Sequence, residues 1–374
     1  MIPIYSPYFP KHSLGYAHEA IDSTWISSSG KFIDTATEKM REYLGVKYVQ
    51  LVSSGTAATH LVAKSLTYKH PAVKKVIMPN NVYVAAWNAF LYDKDLEIIP
   101  IDADPETWNI DLLKLSDRIG DSSGDTAVCF VHNLGNIIDV PRFSRDNPEV
   151  PCVEDNCEGF GGKYGNNSSG TKSLASSISF FGNKTITSGE GGAFITNDRE
   201  IYDFVRCIHG QGQRSGAKYI HDNLGYNYRM TNIQAAILLG QLEVLPEIIE
   251  RKNIIFEMYR KHFSSMSGIS FQVIDGNTSP SNWMMAIRVD GVTCYEESSR
   301  FLGDHGIETR PMFYPISCHK HLGEYADPEE EKVSNKLNRE CIILPSFPDL
   351  REKEVLYIIE SVGKLARKKQ NYIS

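Results

Sequence analysis

At 374 residues the chain is long for one hydrophobic core and suits a large lobe with a smaller one. Its 39 basic and 46 acidic side chains give a formal charge of −7, which excludes a general attractive field for nucleic acid or an anionic membrane. Seven cysteines with no CxxC pair argue against a disulfide framework or a zinc knuckle and for a reducing compartment.

The opening MIPIYSPYFPKH lacks the basic flank and apolar run of a signal peptide, and no stretch approaches the ~18 apolar residues of a membrane span. A cytoplasmic protein with neither a membrane nor a nucleic-acid partner is expected. β-Branched runs follow at 49–54, 75–79, 97–102, 126–132, 151–155, 176–181 and 192–197, with helix-length text between several of them, as at 56–66 and 85–93. This alternation predicts an α/β domain with a largely parallel sheet, whose ligands gather at the carboxyl ends of the strands. From residue 232 the text turns helical through NIQAAILLGQLEVLPEIIERKNIIFEMYRKHF, and a second α/β region ends in the charged helix EKEVLYIIESVGKLARKK. The pattern places a large domain over 1–245 and a small one over 246–374, with residues 1–30 free to pack on either lobe.

Three stretches carry chemistry. In SSGTAATH (53–60), backbone N–H groups and the Thr56 hydroxyl converge on a helix N-terminus, which suits a phosphate as well as an ordinary cap. In PCVEDNCEGFGG, Asp155 closes a strand and Glu158 follows; a carboxylate there can keep a pyridinium nitrogen protonated, or simply face solvent. In SFFGNKTITSGEGG, Lys184 sits between an aromatic run and a glycine-rich turn, where a packed lysine can lose its proton and form a Schiff base. A phosphate cradle, a pyridinium partner and an imine lysine on strand ends of one sheet make the set that pyridoxal phosphate requires.

These stretches, with GYNYRMTNIQAAI, DSTWISSSGKF and GIETRPMFYP, resemble the nucleotide-sugar aminotransferases of the DegT/DnrJ/EryC1/StrS family, and within it the perosamine synthases. The resemblance covers nearly the whole chain. It implies fold type I of the pyridoxal-phosphate-dependent transferases: a large domain with a mostly parallel, mixed seven-stranded sheet flanked by helices, plus a smaller C-terminal α/β domain. It implies that Lys184 forms the Schiff base and Asp155 binds the pyridine nitrogen. Gly55, Thr56 and Ser179 would hold the phosphate, Tyr83 would stack on the cofactor, and Glu158 would lie near its phenolic oxygen. Asn227 would reach the phosphate from the neighbouring subunit of a homodimer with shared sites. Arg229 and Arg310 would lie near phosphate or substrate, and Ser27, Ser29, Phe313 and Tyr314 would line the nucleotide-sugar cleft.

The implied reaction moves an amino group from L-glutamate, through pyridoxamine phosphate, to C4 of a nucleotide-linked 4-keto-6-deoxyhexose, with a GDP-linked sugar favoured. Alternatives are a UDP- or dTDP-linked sugar, amination at C3, and a cofactor-binding regulator. Dehydrating relatives replace the lysine, which Lys184 argues against. The run HNLGNIID (132–139) departs from the family's pattern in lacking its tyrosine and proline. A carboxylate at Glu158 would need a proton or an intervening water. The histidines show no metal-ligand spacing, GQGQRSG reads as a loop, and no metal is expected.

Overall fold

The computed structural model describes residues 1–93, 96–120 and 124–370. The large lobe opens with α1 (Lys11–Asp22) and α2 (Lys31–Leu44), then runs β1 (Tyr48–Val52), α3 (Gly55–Lys69), β2 (Lys75–Pro79), α4 (Ala85–Leu91), β3 (Glu97–Ile101), α5 (Leu112–Gly120), β4 (Thr126–Val131), α6 (Val140–Asp146) and β5 (Cys152–Asp155). Two short strands, β6 (Lys163–Tyr164) and β7 (Asn167–Ser168), precede β8 (Ser176–Ser179), β9 (Gly192–Thr196), α7 (Arg199–Ile208) and α8 (Asn232–Glu243). α9 (Leu245–Phe263) leads into β10 (Ile269–Ser270), β11 (Thr278–Ser279), β12 (Met285–Val289), α10 (Tyr295–Asp304), β13 (Arg310–Pro311), α11 (Lys332–Glu340), β14 (Cys341–Leu344) and α12 (Glu352–Gln370).

Seven strands form one sheet in the order β1-β9-β8-β5-β4-β2-β3. Only β9 runs against its neighbours; the β8–β5, β5–β4, β4–β2 and β2–β3 pairs are all parallel. Alternate residues divide between two covered faces, as a two-residue period requires. Ala127, Cys129 and Val131 meet the helices α3, α4 and α7, whereas Val128 and Phe130 meet Leu115 and Phe143. The mixed, helix-flanked sheet is the one the resemblance implied.

The text from residue 232 is two helices, not one. Pro246 lies in the first turn of α9, where its missing N–H is tolerated, and the chain breaks at Val244. That break lies beside the domain division we propose near residue 245. α9 serves both lobes: Leu245 and Ile248 pack in the core around α2 and α8, and Ile255, Phe256, Tyr259 and Phe263 pack in the core of the second lobe. The second lobe's sheet, β10-β12-β14-β13, is antiparallel throughout, unlike the first. The N-terminal residues touch both lobes, because Ile2 bridges to Ile307 and Gln241 Nε2 donates to Tyr8 O.

One residue between the lobes escaped sequence reasoning. Lys252 of α9 is fully buried, and its Nζ donates to Trp283 O (3.0 Å) and Ser346 O (2.9 Å). Burial lowers its pKa from 10.5 to about 7. Between those values the unfolded chain binds a proton that the folded chain does not, so folding gains stability as pH rises through this window. We therefore expect the stability of the native chain, relative to Lys252→Met, to increase by up to ~1.4 kcal/mol per pH unit between about pH 7 and 10. Urea unfolding of both proteins across that range reads the slope, and parallel curves would refute a buried, titrating amine.

Candidate active site

The polar residues collect at the carboxyl edge of the large sheet. β1 is followed by Ser53 and Ser54, and Ser54 caps α3 by accepting from Ala57 N at 3.1 Å. The first turn of α3 therefore starts at Gly55, directly against the end of β8. A Cβ on Gly55 would lie 2.6 Å from Ser179 Cβ and 2.7 Å from its Oγ. Only glycine lets the helix N-terminus and the Ser179 hydroxyl share one small cradle. Thr56 is half-buried beside it.

Asp155 ends β5 and is 6% exposed. Its Oδ1 accepts from Cys157 N (3.0 Å) and Ser177 Oγ (3.5 Å). Ser177 Oγ lies 2.9 Å from Thr59 Oγ1 on α3, so one hydroxyl chain ties the carboxylate to the phosphate-cradle helix. Neighbouring Glu154 is turned away, into a buried pair with His132. There His132 Nδ1 accepts from Ile138 N (3.1 Å), which leaves the Nε2 proton for Glu154 Oε2 (2.8 Å). Burial raises the Glu154 pKa, but the bonds to His132 and Gly170 N outweigh it and hold the carboxyl below its ordinary value.

Glu158 is buried, and its Oε2 accepts from Leu134 N at 2.8 Å. Burial pushes its carboxyl up to about 7, opposed by the Lys184 charge and the Leu134 N–H and aided by the Asp155 charge. Near neutrality the carboxyl is therefore partly protonated. The unusual HNLGNIID run explains the contact. Leu134 (φ 55°) and Gly135 (φ 93°) are both left-handed, which swings the Leu134 N–H onto Glu158. Ser281 closes the loop by donating to Glu158 O at 2.6 Å; a Cβ at Gly135 would sit 2.1 Å from Ser281 Oγ.

Lys184 lies in the connection from β8 to β9 and is half-buried. Its Nζ stands 3.9 Å from the centroid of the Trp283 ring. Trp283 Nε1 donates to Asn183 O (2.8 Å), and Tyr5 Oη donates to Lys184 O (2.6 Å). The aromatic wall continues outward: Trp283 is nearly parallel to Phe313 (6.4 Å, 12°), and Phe313 lies 6.3 Å from Tyr83, which is 59% exposed. Trp283, Tyr5 and Ser281 were not legible as site residues, because they come from coil positions remote in sequence from the glycine-rich motifs, and Ser177, two residues before the lysine-bearing run, reads as one more serine of a strand.

Asn227 and Arg229 are exposed and joined to each other by Arg229 Nη2 donating to Asn227 Oδ1 (3.2 Å). They occupy the outer side of an extended segment whose inner Tyr226 and Tyr228 rings stack at 4.9 Å. Ser53 N donates to Tyr228 O (2.7 Å), which holds this segment against the end of β1. Ser27 and Ser29 are exposed on a loop pinned to the start of α8, where Asn232 N donates to Ser27 O and its side chain donates to Trp25 O. Arg310 is exposed on β13, and Tyr314 is 40% exposed just beyond it. The structure thus brings Gly55 against Ser179, sets Glu158 within electrostatic reach of both Lys184 and Asp155, and links Lys184 through Trp283 and Phe313 to Tyr83. No direct contact joins Arg310, Tyr314, Ser27 or Ser29 to that group among the described residues.

These residues fit pyridoxal phosphate: the Gly55–Ser179 cradle suits its phosphate, the Asp155 carboxylate its ring nitrogen, and the Lys184 amine its aldehyde. The DegT/DnrJ/EryC1/StrS aminotransferase family model matches residues 9–363. The chain is 37% identical to the GDP-perosamine synthase of Escherichia coli O157:H7, over 97% of this chain and 98% of that one. It is 34% identical to the GDP-perosamine synthase of Vibrio cholerae, with the same coverage. Among solved structures, Helicobacter pylori PseC, an aminotransferase involved in the biosynthesis of pseudoaminic acid, superposes with a TM-score of 0.90 at 22% identity, covering 98% of this chain and 99% of that one. The chain belongs to the DegT/DnrJ/EryC1/StrS family and is a pyridoxal-phosphate-dependent sugar aminotransferase.

Proposed function

We propose that the chain transfers the amino group of L-glutamate to the C4 keto group of a nucleotide-linked 4-keto-6-deoxyhexose, GDP-linked by preference, giving a perosamine-type 4-amino-4,6-dideoxy sugar. The observation that carries the chemistry is Lys184 in the β8–β9 connection, within electrostatic reach of Glu158, on the same sheet edge that carries Asp155 and the Gly55–Ser179 cradle. The preference for C4 and for GDP rests on the likeness to the two perosamine synthases.

Bound pyridoxal phosphate supplies the electron sink and carries the amino group between the two substrates. The backbone N–H groups of Gly55 and Thr56 and the Ser179 hydroxyl hold its phosphate. The Asp155 carboxylate would pair with the ring nitrogen, and Tyr83 would stack on the ring. Lys184 Nζ takes the proton from the α-carbon of glutamate in one half-reaction and delivers one to C4 of the sugar in the other. Glu158 presents a carboxyl proton below about pH 7. Arg310, Phe313 and Tyr314, with Ser27 and Ser29, line the nucleotide-sugar cleft, where a guanidinium suits a diphosphate.

The working unit in this reading is a homodimer in which Asn227 reaches the cofactor phosphate of the neighbouring subunit and Arg229 lies near phosphate or substrate. Both point outward from a segment whose inner face is packed, and exposed Trp25, Tyr219 and Leu224 give apolar surface for a second copy to cover. Among the described residues no helix is long and apolar enough to cross a membrane. The test is an absorbance titration. Glutamate should bleach the lysine–cofactor band, and GDP-4-keto-6-deoxymannose should restore it. Restoration by a UDP- or dTDP-linked sugar alone would overturn the nucleotide assignment, and failure of every 4-keto sugar would overturn amination at C4.

A further inference from the structure

We propose that Asp102 of the large lobe is a positioning residue for the nucleotide-sugar cleft: it caps α11 of the second lobe and, through Asn338 on that helix, sets the place of the Arg310–Tyr314 segment. The inference rests on the reading of that segment as a cleft wall.

α11 brings no cap of its own. Glu331 precedes it without a side-chain bond to the first turn, so the first N–H groups of the helix need acceptors from elsewhere. Asp102, fully buried just past β3, supplies them. Its Oδ2 accepts from Val333 N (2.7 Å), and its Oδ1 accepts from Ser334 N (2.8 Å) and Ser334 Oγ (2.6 Å). A carboxylate suits a helix N-terminus, because its charge meets the positive end of the dipole and its bonds are charge-assisted. The second lobe answers with an acceptor of its own: Glu330 Oε2 accepts from Asp102 N (3.0 Å) and from Lys114 Nζ (3.0 Å).

One turn along α11 from Ser334, and on the same face, Asn338 Nδ2 donates to Met312 O (2.7 Å). Asn80, fully buried just past β2, takes the far end of the segment. Its Oδ1 accepts from Ile316 N (2.7 Å), and its Nδ2 donates to Glu330 O. These side-chain bonds matter because strand pairing stops early: β13 meets β14 only at Arg310 and Pro311, and residues 312–315 continue as coil. Phe313 and Tyr314 are thus held between two clasps, both of which trace to strand ends of the large sheet. Asn80 and Asp102 follow strands parallel to β5, on the edge that carries Asp155. The wall therefore takes its position from the sheet that holds the reactive groups. In the proposed reading a nucleotide-linked sugar spans from the amine to this wall, whereas glutamate reaches only the amine end. Loosening the clasp should be felt by one substrate and not by the other.

The experiment uses the full-length holoenzyme. Asp102→Asn keeps the shape of the cap and loses its charge and one acceptor; Asn338→Ala breaks only the last link. Hydrogen exchange of the peptide spanning 310–317 reports on the segment. Stopped-flow absorbance separates the glutamate half-reaction from that with GDP-4-keto-6-deoxymannose, or with its UDP or dTDP counterpart where only that sugar restores the band. Both variants should exchange faster over 310–317, and KM for the sugar should rise about tenfold in Asp102→Asn and about threefold in Asn338→Ala, with the glutamate half-reaction within about twofold of the parent. Unchanged exchange in both variants would overturn the link from Asp102 to the segment. Equal slowing of both half-reactions would mean a general loss of structure and would overturn it too. Faster exchange with a parental KM would also overturn it, and Arg310→Ala then locates the fault: a raised KM in that variant keeps the cleft reading, and a parental one removes it. If Asp102→Asn does not fold, Asn338→Ala, which leaves the buried cap intact, carries the test with the same outcomes. If no 4-keto sugar restores the band in the parent, the proposed function fails, and the exchange result alone decides whether the clasp exists.

Discussion

Lys184→Ala should lose the Schiff-base absorbance and lower turnover by roughly a thousandfold or more, since one side chain both anchors the cofactor and moves the proton. The fold should survive, because the neighbouring anchors act on backbone: Tyr5 Oη donates to Lys184 O and Trp283 Nε1 to Asn183 O, and both acceptors remain in the variant. Absorbance, turnover and circular dichroism of the same preparation separate chemistry from misfolding. Turnover that persists would end the assignment of Lys184. The same variant tests the shared site. Asn227→Ala should retain cofactor poorly, and mixing it with Lys184→Ala should restore one competent site in each mixed dimer. Absence of recovery would count against Asn227 reaching across the interface.

Asp155→Asn should cut turnover on the order of a hundredfold to a thousandfold while preserving the local structure. The amide oxygen can still accept from Cys157 N and Ser177 Oγ, the two donors that fix Oδ1, so the side chain keeps its place and loses only its charge. Without that charge the ring nitrogen is no longer held protonated, and the cofactor becomes a poorer electron sink. The expected signature is a fall in kcat at nearly unchanged cofactor affinity. A variant with parental kcat would show that the carboxylate serves the hydroxyl chain to Thr59 and not the ring.

Local motifs made much of this legible. The apolar run at 75–79 is β2 to the residue, and Gly55, Asp155 and Lys184 were readable as a set, because segments that each admit an ordinary reading alone fall together on strand ends of one sheet. Pro246 also carried a readable signal, a helix start inside apparently continuous helical text. What escaped was created by tertiary contact. Lys252 looks like one more charge in the run ERKN, and only packing of α9 between two cores makes it a buried amine. Trp283 and Ser281 lie in coil before β12, with no periodicity to single them out, and acquire their roles from residues about a hundred positions away. The HNLGNIID run looked like a missing motif; its left-handed pair instead supplies the N–H that Glu158 accepts.

The reversed strand β9 has a consequence for how the site is assembled. Because β9 runs against β8, a short loop joins them, and the Ser179–Gly192 pair can close early at little entropic cost. The same strand must also pair with β1, and the Val52–Gly192 contact closes a far longer segment of chain. The lysine-bearing turn thus belongs to the local, quickly formed part of the molecule, whereas the phosphate cradle waits for the edge strand to dock. Cofactor present during refolding would find its amine before its anion site, so it should accelerate only the late, long-range step.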